Sequence, residues 1–106
     1  MDRSRVIYLI SETKEQDQEG VWRKSEETRR KAFAQINSVT GSEFFEGGRN
    51  GLNPELRFTL FAYDYKGEEI VEYNGNLYGV YRTYFQRTDI IELYTEKKGG
   101  VNQWQR

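Results

Sequence analysis

The pair Asn74-Gly75 constrains the fold of this chain more than any other short segment. Both residue types adopt positive φ at low cost, and the pair is typical of a two-residue type I′ turn between antiparallel strands. Apolar and aromatic residues stand on both sides of it, in residues 70–73 and 77–85. The sequence therefore predicts a β-hairpin of defined register in the second half of the chain.

The apolar pattern predicts further strands on both sides of this hairpin. In residues 55–63 every second position from Leu56 is apolar, which is the period of a strand. Residues 90–95 predict a last strand after a polar turn. Residues 6–10 form a continuous apolar run, too short for a helix, that predicts a strand buried on both faces. The polar residues 12–20 then predict an exposed loop that ends in glycine.

Residues 21–39 admit two interpretations. A long edge strand with an exposed first half is favoured, because the second half of the segment alternates in the manner of a strand. The charged stretch 23–31 would also suit a helix, since Glu26 lies four residues before Arg30 and such a pair supports helical structure. Both interpretations stay open on the sequence alone, with the strand preferred.

Strand signals give way to helix signals at Thr40. This residue can cap a helix whose Glu43 reaches back to it in a capping box. The pair Gly47-Gly48 would end that helix after about two turns. We therefore expect a long, mobile crossover over residues 40–54 that carries a short helix.

The length of the chain limits it to one domain. Its 106 residues fall in the size range of a single domain, and about two-thirds of the surface of such an unfolded chain can be buried. Evenly spaced strands, one crossover and no long helix predict an all-β fold, a small antiparallel β-barrel of about six strands or the related sandwich. We assign residues 1–96 to the barrel and residues 97–106 to a flexible C-terminal arm.

The residue types present exclude most catalytic chemistry. The chain has no cysteine and no histidine, so disulfides, thiolate or imidazole metal sites and histidine-dependent triads are ruled out. The carboxylates of Asp64, Glu68, Glu69 and Glu72 remain for acid–base or metal chemistry, but their spacing is not that of a calcium loop. We interpret them as solvated turn residues, and expect no catalytic residue, no metal site and no cofactor.

Charge and hydropathy limit the classes of partner that the chain can have. Sixteen Lys and Arg against seventeen Asp and Glu leave a formal net charge of −1, so the chain has no global basic field to hold nucleic acid. No apolar run approaches the roughly 18 residues that a transmembrane helix needs, and the first residues do not predict a signal peptide. We therefore expect neither DNA wrapping nor a membrane partner.

Five short segments, taken in order, carry a resemblance to a known family. They are Ser42-Glu43-Phe44-Phe45, Leu52-Asn53-Pro54-Glu55-Leu56, Val71-Glu72-Tyr73-Asn74-Gly75-Asn76-Leu77-Tyr78, Tyr81-Arg82-Thr83-Tyr84 and Asp89-Ile90-Ile91-Glu92-Leu93. With these segments at these spacings, the chain resembles the bacteriophage head closure proteins, also called head–tail joining or stopper proteins, over nearly its whole length.

The resemblance implies a small β-barrel with a long internal loop, assembled as a ring beneath the portal and its adaptor. Such a ring retains packaged DNA and presents the surface to which the tail attaches, without covalent chemistry. The implied partners are the adaptor or portal ring, tail terminator or tail proteins, and other copies of the chain in a dodecameric ring. DNA would pass through the channel without specific binding. The implied location is the head–tail connector of the virion, with the host cytoplasm as the site of assembly.

The crossover is where we expect the functional contacts. Two adjacent phenylalanines on a helix cannot both face one core, so one ring would pack on a neighbouring subunit, or both would form a small cluster beneath the loop. A capping glutamate could instead pair with a neighbour's arginine, and a loop arginine could meet DNA phosphate or an acidic adaptor, or stay solvated. The family pattern turns this crossover toward the channel. The candidate subunit or channel contacts are Glu43, Phe44, Phe45, Arg49, Leu52 and Asn53.

Two further aromatic features invite a functional interpretation. Trp104 in the C-terminal arm either docks into a groove of a partner or lacks a packing site, since two glycines separate it from the last strand. The many tyrosines resemble a stacking platform for single-stranded nucleic acid, but only Arg82 and Arg87 accompany them, so cross-strand packing explains them better. The alternative function is a small OB- or SH3-like barrel that binds nucleic acid or a peptide.

Overall fold

The protein is a closed six-stranded antiparallel β-barrel, as the sequence predicts. The computed structural model describes residues 5–39 and 54–100. Around the barrel the strand order is β1-β2-β3-β6-β5-β4, and β4 pairs back onto β1. A single 3-10 turn at Ala62–Asp64 is the helical element of the described residues. The strands are β1 (Arg5–Gln16), β2 (Trp22–Ser38), β3 (Pro54–Phe61), β4 (Ile70–Tyr73), β5 (Asn76–Arg87) and β6 (Ile90–Gly100).

The core lies inside the barrel and follows from the alternation in β3 and β6. Phe58 and Leu93 are directly paired across these strands and fully buried. The rings of Tyr73 and Tyr78 meet the Phe58 ring edge-on, with centroids 6.1 and 5.7 Å away, a favoured aromatic geometry. Apolar residues from all six strands complete this cluster, so one side of every strand contributes to a single core.

A second, smaller cluster marks the seam where the barrel closes. Ile10, Ile70 and Leu77 are buried against one another at the junction of β1, β4 and β5. The β1–β4 ladder that completes the ring is short, with three residues of β1 opposite three of β4. At this seam β4 begins at Ile70, whereas its two neighbours, β1 and β5, continue beyond that point.

The hairpin predicted from Asn74-Gly75 is confirmed. Both residues have positive φ, 54° and 80°, as a type I′ turn requires. Tyr73 pairs with Asn76 and Ile70 with Gly79, so β4 and β5 are in the register that a two-residue turn sets.

The first strand differs from the prediction in length and burial. β1 continues to Gln16, through much of the segment that we expected as a loop, because its polar residues pair with the first half of β2. Ile7 and Leu9 are buried on the core face, and Ile10 is buried on the other face. On that other face, however, Val6 and its cross-strand partner Phe33 are substantially exposed, so burial on both faces is confirmed only in part. A polar hairpin needs no apolar alternation once both of its strands hydrogen-bond to each other.

The strand interpretation of residues 21–39 is confirmed, and the helical alternative is wrong. Glu26, Glu27 and Arg29 lie on the exposed part of β2, as expected for its first half. Among the described strands, residues 22–34 pair with β1 alone, as expected of an edge, although β2 as a whole lies between β1 and β3 in the closed barrel. Its ladder with β3 is confined to the last four residues, from Gln35 to Ser38.

The last strand is also longer than predicted. β6 continues past residue 95 to Gly100, so residues 97–100, which we expected in the arm, belong to a strand paired with β5. The predicted short helix and most of the crossover fall in residues 40–53, and the rest of the arm in 101–106, both outside the described residues.

Candidate functional site at the hairpin end of the barrel

Two hairpins extend past the start of β4 at one end of the barrel. β4 begins at Ile70, opposite Ile10 of β1 and Gly79 of β5. β1 runs on from there and returns as β2, which makes the first hairpin, residues 11–28. β5 likewise runs on and returns as β6, which makes the second hairpin, residues 80–91. This hairpin end is the candidate functional site that the described residues offer.

The tip of the first hairpin is held by side-chain chemistry. The Asp17 carboxylate accepts hydrogen bonds from the backbone N–H groups of Glu19 and Val21, both at 2.9 Å, in the manner of an Asx turn. The Gln16 side chain donates to the Gly20 carbonyl at 3.0 Å, and Gly20 has a φ of 84° that favours glycine. The turn is thus ordered although Trp22 beside it is 65% exposed.

A cavity of about 480 Å³ separates the two hairpins near the start of β4. Ligand sites of this size are usually lined mainly by apolar and aromatic side chains. Here five of the nine lining residues are charged, which favours an open, hydrated cleft over a small-molecule pocket. The lining residues are Glu12, Lys14, Glu69, Ile70, Gly79, Val80, Tyr81, Glu96 and Lys98.

A buried ion pair ties the segment before β4 to β2. Glu68 is only 4% exposed and accepts hydrogen bonds from Arg30, at 2.8 Å from Nε and 2.5 Å from Nη2. Arg30 also donates to the carbonyl of Asp64 at 2.7 Å, and the Lys66 N–H donates to Glu68 at 2.7 Å. Burial by itself raises the pKa of Glu68, but these hydrogen bonds and the Arg30 charge outweigh it and hold the pKa below its ordinary value.

A more exposed ion pair lies next along the barrel surface. Arg29 contacts both carboxylate oxygens of Glu72, at 3.0 and 3.1 Å from Nη2, and its guanidinium stacks 3.8 Å from the centre of the Tyr8 ring. This bidentate geometry joins β2 to β4 across β1, because Tyr8 is the residue of β1 paired with Glu72. It reinforces the short ladder at the seam.

A polar network covers the outer face of β6 beside the second hairpin. Glu92 is 5% exposed and accepts hydrogen bonds from the Tyr94 hydroxyl, at 2.6 Å, and from the Gln86 amide. The Arg82 guanidinium lies 3.8 Å above the Tyr94 ring. Burial alone would raise the pKa of Glu92. The hydrogen bonds and the charges of Arg57 and Arg82 together lower it by more, so the pKa lies below its ordinary value.

The lowered pKa values of Glu68 and Glu92 do not suit a general acid. A general acid at neutral pH needs a raised carboxyl pKa, whereas the pKa values of Glu68 and Glu92 are lowered. The expectation that residues 64–72 hold only solvated turn carboxylates is wrong for Glu68, which is buried, and for Glu72, which is half-buried and paired with Arg29. Across the described ranges, no cluster of three or more acidic residues is arranged to bind a metal ion.

The aromatic residues of β4 and β5 divide between core and surface. Tyr73 and Tyr78 pack on Phe58 across the barrel interior, not as cross-strand pairs, because β3 is a neighbour of neither β4 nor β5. Tyr84 and Phe85 on the second hairpin are 54% and 57% exposed. Their exposure on consecutive residues places one aromatic ring on each face of the strand. They form the exposed aromatic surface that the described residues present on β5.

The residues predicted as functional contacts lie elsewhere in the chain. Tyr84, Phe85 and Trp22 were not among the predicted contacts, although the polar residues that flank the Tyr84-Phe85 pair in the second half of β5 were a sequence signal for surface exposure. The predicted contacts Glu43, Phe44, Phe45, Arg49, Leu52 and Asn53, and the predicted docking residue Trp104, fall outside the described residues.

Comparison with known proteins adds no family assignment. No family model matches this chain, and no curated protein shows significant similarity to it. Within residues 5–39 and 54–100, no helix is long and apolar enough to cross a bilayer.

Proposed function

We propose that this chain is a structural virion protein that joins the phage head to the tail and closes the DNA exit channel. The observation that carries the proposal is the closed six-stranded barrel whose β2 and β3 are joined by the long segment 40–53, the order of elements that the family resemblance implies. The resemblance segments 71–78 and 89–93 fall on consecutive strands of this barrel. The proposed partners are the adaptor or portal ring, tail proteins and other copies of the chain.

The chemistry of the described residues suits a non-enzymatic role. The buried carboxylates have lowered pKa values and are held by arginine, glutamine and tyrosine side chains, so they favour a rigid surface over proton transfer. The charged cleft between the hairpins lacks the apolar lining usual for a small substrate. Both features support a protein that acts by binding to other proteins and not by catalysis.

The charge balance fits a channel through which DNA moves. Affinity for duplex DNA comes mainly from lysine and arginine contacts to phosphates. With a formal net charge of −1, the chain offers no strong nonspecific attraction that would hold the genome during ejection. A ring of such subunits would retain DNA by closing the channel, not by binding it. In this proposal the protein works in the head–tail connector and assembles in the host cytoplasm.

The test is DNA retention by heads that carry a variant of the predicted contact Phe45. We expect Phe45→Ser to leave the barrel folded by circular dichroism, while filled heads lose nuclease-protected DNA or fail to accept tails. Phe33→Ser is the matched control, since Phe33 is an exposed phenylalanine on the barrel surface. Heads assembled without this chain that keep their DNA and accept tails would contradict the proposal.

The exposed Tyr84 and Phe85 near Arg87 favour one rival, a small barrel that binds single-stranded nucleic acid or a peptide. Titration with a single-stranded oligonucleotide at several salt concentrations separates the two. The head-closure role predicts weak binding throughout. Tight binding with a steep salt dependence would favour the rival.

A further inference from the structure

The connection from β3 to β4 crosses the mouth of the barrel, by which we mean the opening at its hairpin end. Around the ring of strands, β3 and β4 lie three positions apart in either direction, so they stand on opposite sides of the barrel. β3 ends at Phe61 and β4 begins at Ile70. Between them, Ala62 and Tyr65 pack against the core cluster. Residues 62–69 therefore cover the mouth, and we call them the lid.

An arginine that points into the barrel holds the lid in place. Arg30 of β2 is directly opposite Leu9 of β1, and residues opposed in this way project from the same face of a sheet. Because Leu9 is fully buried in the core, Arg30 also faces inward. At the mouth its guanidinium donates to the Glu68 carboxylate and to the Asp64 carbonyl. One side chain of β2 thus contacts the lid at two separate residues.

Hydrogen bonds within the lid make it a single unit. The Tyr65 hydroxyl donates to the Glu68 carbonyl at 2.7 Å, and the Tyr65 N–H donates to the Ala62 carbonyl at 3.1 Å. The Lys66 N–H donates to the Glu68 carboxylate at 2.7 Å, so the group that Arg30 holds also orders the backbone of the turn. A displacement of Glu68 from Arg30 would therefore affect the whole lid.

Backbone contacts between the lid and the strands lie at its two ends. The Ala62 N–H donates to the Asp89 carbonyl at 2.8 Å, and the Glu69 carbonyl accepts from the Val80 N–H at 2.9 Å. No ladder among the described strands includes a residue of the lid. Tyr63 stacks on Phe61 but is 71% exposed. Segments with few buried apolar contacts and little backbone pairing open at a lower free energy than core strands do.

We propose that the lid opens as a unit while the six strands stay paired, and that the Arg30–Glu68 pair is the latch that keeps it closed. In the open state, Arg30 stays at the mouth without its anionic partner. The part of the core that Ala62 and Tyr65 cover then meets water. The barrel is thus a two-state element with a closed or an open mouth, and this inference does not depend on a role in head closure.

The first test is native-state amide exchange of the whole chain, followed by NMR at several urea concentrations below the unfolding transition. The Tyr65 and Val80 amides report on the lid, because each donates to a carbonyl of the lid. We expect both to exchange with one shared opening free energy and little dependence on urea. The Phe58 and Leu93 amides should exchange more slowly, with the full urea dependence of global unfolding. That same full dependence at all four amides would overturn the proposal.

The second test removes the charge of the latch. Glu68→Gln should make the Tyr65 and Val80 amides exchange at least about tenfold faster, still with little dependence on urea. Glu72→Gln is the matched control, because Glu72 pairs with Arg29 outside the lid, and it should leave both rates nearly unchanged. Unchanged exchange in Glu68→Gln, or equal acceleration in the two variants, would overturn the latch.

The third test asks whether the two side chains act as a pair. Arg30→Gln should accelerate the same two amides, and combining it with Glu68→Gln should add little, because either change alone already breaks the pair. Arg30→Lys keeps the charge and should have a smaller effect, which gives the comparison a variant that preserves folding if Arg30→Gln does not. Accelerations that add in full in the double variant, or an effect of Arg30→Lys as large as that of Glu68→Gln, would overturn the latch.

Discussion

Different interactions stabilise the hairpin end and the body of the barrel, by which we mean the part that surrounds the core cluster of Phe58 and Leu93. In the body, Phe58 and Leu93 are fully buried in a core to which all six strands contribute. At the hairpin end, the outer parts of β1, β2 and β5 are mostly polar and each is paired with one described neighbour, and turn hydrogen bonds and ion pairs such as Arg30–Glu68 add stability. The body is stabilised by buried apolar surface, whereas the hairpin end leaves backbone edges and the aromatic rings of Tyr84 and Phe85 exposed.

The largest expected effect separates two phenylalanines on these two regions. Phe58→Ala removes a fully buried ring and should lower the free energy of unfolding by about 3–5 kcal/mol. Phe85→Ala removes a ring that is 57% exposed and should cost less than about 1 kcal/mol. Urea unfolding followed by circular dichroism measures both. Comparable losses would show that the hairpin end is part of the same core.

The next effect tests the ion pair that fixes the segment before β4. Glu68→Gln leaves Arg30 half-buried without its anionic partner and should lower the free energy of unfolding by about 2 kcal/mol. Glu69→Gln, at the exposed neighbouring position, is the control and should change stability little. If the two variants unfold at the same urea concentration, Glu68 does not hold this segment.

The pH dependence of unfolding should show the same ion pair. The pKa of Glu68 in the folded protein lies below its ordinary value of 4.5, so the unfolded chain takes up this proton first as the pH falls. The stabilisation is therefore complete above the unfolded pKa and disappears as the pH falls through the folded one. Stability of the wild type should decline on acidification below about pH 5, and Glu68→Gln should flatten that decline. An unchanged decline would assign acid sensitivity to other carboxylates.

A smaller effect concerns the turn that sets the register of the body. Gly75 has a φ of 80°, where a side chain is strained, so Gly75→Ala should cost about 1 kcal/mol. Gly75→Asn should cost less, because asparagine tolerates positive φ. Thermal unfolding of the two variants gives the comparison, and a cost for alanine no greater than for asparagine would argue against a strained turn.

The smallest effect is expected at the exposed ion pair. Arg29→Ala removes the bidentate contact with Glu72 and the stacking on Tyr8, but Arg29 is about half exposed, so the loss should stay below about 1 kcal/mol. Added salt should weaken the difference between variant and wild type. A larger loss that salt leaves unchanged would place Arg29 in the structural framework of the body.

The sequence predicts the body of the barrel better than its hairpin end. The Asn74-Gly75 turn and the alternation in β3 are local signals, and each determines structure within a few residues. The outer part of β1 has no such signal, because its polar residues become a strand only through pairing with β2. The length of a strand in a polar hairpin depends on the strand that it pairs with, and the hydropathy pattern of a few neighbouring residues does not contain that information.

The burial of Glu68 could not be predicted from the sequence, for a related reason. Its partner Arg30 lies 38 residues away in the sequence, and nothing in the acidic turn separates Glu68 from exposed Glu69. The exposed pair Tyr84 and Phe85 was visible as a pattern, but its meaning depends on where β4 begins. Contacts set by topology need the closed barrel before they can be identified.

Amide hydrogen exchange on the isolated chain tests the division between the two regions most directly. The account predicts slow exchange at Phe58, Leu60 and Leu93, at rates set by global unfolding, and exchange faster by orders of magnitude at the outward amides of residues 83–87. Equal and strong protection in both regions would contradict it, because the hairpin end would then be as firmly closed as the body.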